Sequence, residues 1–97
     1  MSAAGELAAA VRRELAGAGD PDRAAGMRAY LRSALPCRGV PLPAIRAIVR
    51  RAAATHAPAD RGSWEAATLD LWRDAAYREE RHAAIALTGQ PRFAIRE

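Results

Sequence analysis

With 97 residues, one cysteine and a net charge of +4, the chain is one small domain at most and holds no internal disulfide framework. Much of its hydrophobic content is alanine and only 5% of residues are aromatic. It therefore forms helix readily but buries little area per residue, a pattern that suits part of a larger helical stack. No apolar run reaches membrane-spanning length and the opening MSAAGELAAAVRRE is too charged for a signal peptide, so a reducing cytoplasm and no membrane partner are expected.

In chain order, Leu7, Val11 and Leu15 mark a first helix closed by Gly17 and Gly19. Asp20-Pro21-Asp22 opens a second: the aspartate caps free amides, proline fits the first helical position and Asp22 suits the positive dipole end. Met27, Leu31 and Ala34 lie on one side of this helix at helical spacing, and it stops before Pro36. A third helix starts near Pro43, carries Ile45, Ile48, Val49 and Ala52 on one stripe, and fades at Thr55-His56-Ala57-Pro58. Pro36, Pro41 and Pro43 keep the second and third helices apart, and Gly39 lets the connecting loop turn. An αα-hairpin is expected here, its two stripes facing and its arginines pointing away.

Ser63 is the expected cap of a fourth helix, in which Trp64, Ala67, Thr68, Leu71 and Trp72 share one face and Leu69 lies off it. A break near Asp74-Ala75-Ala76 precedes a fifth helix, Tyr77 to Thr88, and Pro91 to Ile95 looks like the opening of a sixth. Asp74 and Arg78 stand in the favourable i,i+4 order. The expected fold is all-α. Antiparallel helix pairs (second with third, fourth with fifth) stack as a short HEAT-like α-solenoid of about five helices, within one domain, residues 1–97.

All fifteen cations are arginine, for which base-composition bias is the simplest reading, since lysine replaces arginine at most solvated sites. Arg28 and Arg32 are one turn apart on the second helix, as are Arg46 and Arg50 on the third, all off the apolar stripes. With Arg38 in the loop they form either a solvated face or a patch that positions a phosphate backbone. Tyr30, beside them, is either a core-boundary ring or a nucleic-acid contact. Trp64 and Trp72 read as core anchors, and Asp70 and Asp74 as surface charge pairs. His56 and His82 stand outside any metal-ligand spacing, and Cys37 has no catalytic partner. No metal, no cofactor and no catalytic residue is assigned.

The run Met27-x-x-Tyr30-Leu31, then Gly39-Val40-Pro41-Leu42-Pro43-x-x-Arg46, then Leu71-Trp72, Arg78-Glu79 and Ala83-Ala84-x-x-Leu87 resembles the DNA alkylation repair family, HEAT-like glycosylases of bacteria. The resemblance spans roughly residues 20–88. It implies a basic concave surface for double-stranded DNA and hydrolysis of the bond between deoxyribose and an N3- or N7-alkylated purine. Such a purine is a good leaving group, so a carboxylate that stabilises oxocarbenium-like charge carries the chemistry, with aromatic faces favouring the cationic base. By the same resemblance Tyr30 matches a tyrosine near the lesion and Arg46 a basic position of the loop-helix motif, while Pro41 replaces a polar residue of some members. The family's catalytic Trp-x-x-x-Asp element has no match, because Trp64 is followed four residues on by Thr68 and Trp72 by Ala76. The resemblance therefore implies the DNA-binding N-terminal part of a glycosylase without its catalytic carboxylate: a truncated gene product, a fragment or a reduced homologue, for which a C-terminal half or a protein partner is one expected complement. The competing expectation is a helical-repeat module that binds proteins and not DNA.

Overall fold

A computed structural model describes residues 3–31 and 34–89 of the protein. Five helices follow one another: α1 (Ala3–Ala18), α2 (Pro21–Leu31), α3 (Leu42–Thr55), α4 (Arg61–Arg73) and α5 (Arg78–Thr88). The fold is all-α, as the periodicity predicts. Residues 90–97, which hold the expected sixth helix, and Arg32 lie outside the described residues.

The apolar stripes fix the layering. Leu7, Val11 and Leu15 of α1, Ile45, Ile48, Val49 and Ala52 of α3, Ala67 and Leu71 of α4, and Ala83, Ala84 and Leu87 of α5 form one core. α1 packs on α3, α4 and α5; α5 also packs on α3 and α4; α3 and α4 do not meet among the described residues. Two layers result, α1 with α4 and α3 with α5. Trp64 locks α4 to α5, donating its indole N–H to the Leu87 carbonyl at 3.0 Å, which satisfies the one polar atom of a buried ring.

The expected hairpin of α2 with α3 does not form: α2 packs on no other helix among the described residues. Of its described side chains, those of residues 21–30, only Ala24 and Met27 are partly covered, and Ala34 lies exposed beyond the helix end. The reason is area. α1 offers Leu7, Ala8, Ala10, Val11 and Leu15, all buried, a stripe that α2 cannot match, so α1 takes the place beside α3.

Three local expectations also change. Asp60, not Ser63, caps α4, accepting from the Ser63 amide at 2.7 Å; an aspartate three residues earlier intercepts that N–H. Trp72 is 43% exposed and anchors no core, because α4 turns that flank outward. Asp74 ends α4 and Arg78 begins α5, so their i,i+4 order is interrupted by the helix break.

Asp20 caps α2 as the sequence indicates, accepting from the Asp22 and Arg23 amides at 3.0 and 3.3 Å. Asp70 is paired as expected, here with Arg12 of α1 at 2.9 Å. Arg12 also reaches Glu80 at 2.8 Å, tying α1, α4 and α5 together. Burial works against its charge, but the hydrogen bonds to Asp70 and Glu80 prevail and hold it protonated above its ordinary range.

Candidate functional site

The 36–40 loop is the centre of the molecule's polar architecture, and Glu79 holds it. Fully buried in the first turn of α5, Glu79 accepts three backbone N–H groups: Arg38 at 2.9 Å, Gly39 at 3.0 Å and Val40 at 3.2 Å. Successive amides converging on one carboxylate make an anion-binding concavity closed by the protein's own side chain. From the other side, Asp20 N–H donates to the Arg38 carbonyl at 2.7 Å. Gly39 has φ +83° and comes so close that an added Cβ would lie 2.2 Å from the Asp20 carbonyl oxygen. Arg78 N–H donates to the Pro36 carbonyl at 2.9 Å. The start of α2, the loop and the start of α5 are thus one interlocked unit, which gives a physical reason for Gly39-Val40-Pro41 and Arg78-Glu79 to occur in the same chain.

Glu80 faces the opposite way and is equally committed: its carboxylate takes the Ala76 and Tyr77 amides at 2.6 and 2.7 Å besides Arg12. Neither buried glutamate is available for chemistry. The sequence does signal that Glu79 is buried, for Glu79, Ala83 and Leu87 fall on one stripe at i,i+4 spacing, and an acid on an apolar stripe needs a partner.

Around this unit stand the arginines. α3 carries Arg46, Arg50 and Arg51 and no acidic residue. Arg46 and Arg50 are exposed, on the side away from Ile45, Ile48, Val49 and Ala52, and form no ion pair with a described residue; Arg51 pairs with Glu14 at 3.0 Å. Arg28 is exposed on α2 and likewise unpaired among the described residues, and Tyr30 is 87% exposed, which removes the core-boundary reading of that ring. Arg38 behaves differently: its guanidinium lies 3.8 Å from the centre of the Tyr77 ring, beside an open hollow of about 410 Å³ that Cys37 also lines.

The sequence reading did not place Arg78 or Arg81 in the arginine patch. Both lie on the outward side of α5 with His82 and Ile85, opposite the buried Ala83, Ala84 and Leu87, and neither is ion-paired to a described residue. A hollow of about 220 Å³ brings Met27 of α2, Leu42 and Ile45 of α3, and Arg78 and His82 of α5 onto one surface. The outer faces of α3 and α5 carry positive charge and no carboxylate. That α3 and α5 are neighbours is not readable from the sequence alone.

Two titrating groups border this surface. Burial, reinforced by Glu79, pushes the Cys37 thiol up, and Arg78 and Arg28 offset this only in part, so Cys37 is a thiol and no nucleophile at neutral pH. Burial, with Arg78 beside it, lowers His82 below the ordinary histidine range, leaving it a neutral ring. Among the described residues no group of three or more His, Cys, Asp or Glu stands where it would hold a metal ion, and no helix is long and apolar enough to cross a membrane.

A protein-family model described as DNA alkylation repair enzyme matches residues 11–96. No curated protein and no solved structure matches the chain.

Proposed function

Because the chain belongs to the DNA alkylation repair enzyme family, we propose that it is a DNA-binding segment of an N3/N7-alkylpurine DNA glycosylase that holds double-stranded DNA without cleaving it. The observation that carries this reading is the set of exposed arginines Arg28, Arg46 and Arg50, without an ion pair to any described residue, the latter two on the side of α3 away from its core stripe. Guanidinium groups that neutralise phosphates release condensed counterions, so affinity comes from the backbone and not from base sequence. Arg38 contributes from the loop with its guanidinium already placed by Tyr77, and Tyr30 supplies an exposed aromatic face beside the patch. The same reading gives Arg32 a phosphate contact.

Hydrolysis needs a carboxylate aimed at the sugar. Glu79 and Glu80 are consumed by backbone amides and Arg12, and Asp70 by Arg12. On this reading the described helices supply grip, and a C-terminal half or a partner supplies the cleaving carboxylate.

The test is a duplex-binding titration across salt concentration with the natural chain and a variant carrying Arg28→Ala, Arg46→Ala and Arg50→Ala. Each phosphate contact contributes a slope of roughly −0.9 in log affinity against log salt, so the variant should bind more weakly with a slope flatter by about 3. In the same samples, methylated duplex should release no alkylpurine. Affinity that does not change between low and moderate salt would overturn the binding claim, and clear base release would overturn the non-catalytic one.

A further inference from the structure

Glu79 and Glu80 are consecutive, and each fixes one half of the same contact. Glu79 accepts the amides of Arg38, Gly39 and Val40 and so holds the loop from which the Arg38 side chain springs. Glu80 accepts the amides of Ala76 and Tyr77 at 2.6 and 2.7 Å and is itself tied to Arg12 at 2.8 Å, which sets the backbone of Tyr77 at the start of α5. Between these two anchored segments the Arg38 guanidinium lies 3.8 Å from the centre of the Tyr77 ring. Arg61 over Trp64 and Arg81 over Trp72 stand farther off, at 5.8 and 5.1 Å.

The contact leaves Arg38 its chemistry. A ring takes one face of the guanidinium plane, while the N–H donors point outward within that plane, so phosphate oxygens can be bound along an edge with the stack intact. Arg38 forms no ion pair with a described residue, and no acidic side chain lines the hollow beside it. The fields of Arg28 and Arg78 both reach Cys37, the preceding residue, so this loop stands among cations of α2 and α5. Arg28, Arg46 and Arg50 are exposed and give up rotamer freedom to meet a phosphate. A guanidinium already held over a ring gives up less.

We propose that Tyr77 is a positioning residue for phosphate recognition: its ring preorganises the Arg38 guanidinium, so that Arg38 contributes more affinity for its one charge than the solvated arginines of α2 and α3 do. This rests on the reading of the arginines as a duplex-binding set and deepens it, since Tyr77 acts through Arg38 without itself having to touch DNA.

Duplex binding is measured across salt concentration for the natural chain, Tyr77→Phe, Tyr77→Leu, Arg38→Ala and the double variant Tyr77→Leu with Arg38→Ala. Tyr77→Leu should weaken binding about three- to tenfold with the salt slope unchanged, because the charge remains. Tyr77→Phe keeps the ring face and should bind as the natural chain does. Arg38→Ala should lose at least as much as Tyr77→Leu and flatten the slope by about 0.9; the Glu79 clamp uses only backbone amides there and survives the change. In the Arg38→Ala background Tyr77→Leu should cost nothing further, a coupling that a ring with only a packing role would not show. Equal losses in both backgrounds, or undiminished binding by Tyr77→Leu, would overturn the proposal and leave the duplex reading standing. Undiminished binding by the Arg28→Ala, Arg46→Ala, Arg50→Ala variant, with Arg38→Ala and Tyr77→Leu both weakened, would strike the drawn duplex face and leave the Arg38–Tyr77 pair. Absence of duplex binding by the natural chain would overturn both. Should Tyr77→Leu melt below the assay temperature, nitrogen-15 relaxation of the arginine Nε groups decides in the natural chain: Arg38 should be ordered before DNA is added while Arg46 and Arg50 are mobile, and equal mobility of the three would overturn the proposal.

Discussion

Replacing Gly39 with alanine is expected to destabilise the protein by about 3 kcal/mol or more, enough to leave a small domain largely unfolded. Two costs add. The backbone there has φ +83°, a left-handed conformation that costs an L side chain about 1–2 kcal/mol. The new Cβ would also lie 2.2 Å from the Asp20 carbonyl oxygen and 2.8 Å from the Ala24 nitrogen. Both are backbone atoms of the α2 start and cannot swing aside, so overpacking adds about 1–3 kcal/mol. Gly62 provides the control: its nearest neighbour would be 3.5 Å away, so Gly62→Ala should match or exceed the natural stability. Urea denaturation of the two variants checks the pair, and Gly39→Ala with an unchanged midpoint would show that the loop is not held as described.

Glu79→Ala should be comparably damaging, at about 3–5 kcal/mol. The carboxylate accepts from Arg38, Gly39 and Val40, and its removal leaves buried N–H groups whose desolvation costs about 1–3 kcal/mol each, less whatever an entering water recovers. Glu79→Gln is the sharper probe, since it keeps the volume and removes the charge. Its amide turns one N–H toward another N–H, and a loss of about 1–3 kcal/mol is expected. Thermal melts of the three proteins should therefore fall in the order natural, Gln, Ala. Because the loop also anchors the start of α2, amide exchange of Asp20–Ala24 should quicken in both variants. If only α5 amides quicken, Glu79 serves its own helix and does not clamp the loop.

Helices α1, α3, α4 and α5 were readable from sequence because each places apolar residues at helical spacing, and the same spacing put Arg46 and Arg50 outside. The partner of α3 was not readable. Met27 and Leu31 satisfy the period as well as Val11 and Leu15 do, and only the larger area of α1 decides between them. Glu79 shows the second limit. Its stripe position marks it as buried, yet the amides that it binds lie 39 to 41 residues away, and nothing local names them. Trp72 shows the third: a tryptophan at helical spacing from Trp64 looks like core until the neighbours of α4 are known. The α5 part of the arginine surface was missed for the same reason as the α1–α3 pairing, since it becomes one face with α3 only through long-range packing.

The most direct measurement is an amide chemical-shift map of the chain titrated with a short methylated duplex. The account predicts shifts concentrated at Arg28 to Tyr30 on α2, Arg46 to Arg50 on α3 and Arg78 to His82 on α5, fading as salt rises. Shifts confined to α1 and the outer flank of α4, or none at any salt, would contradict it.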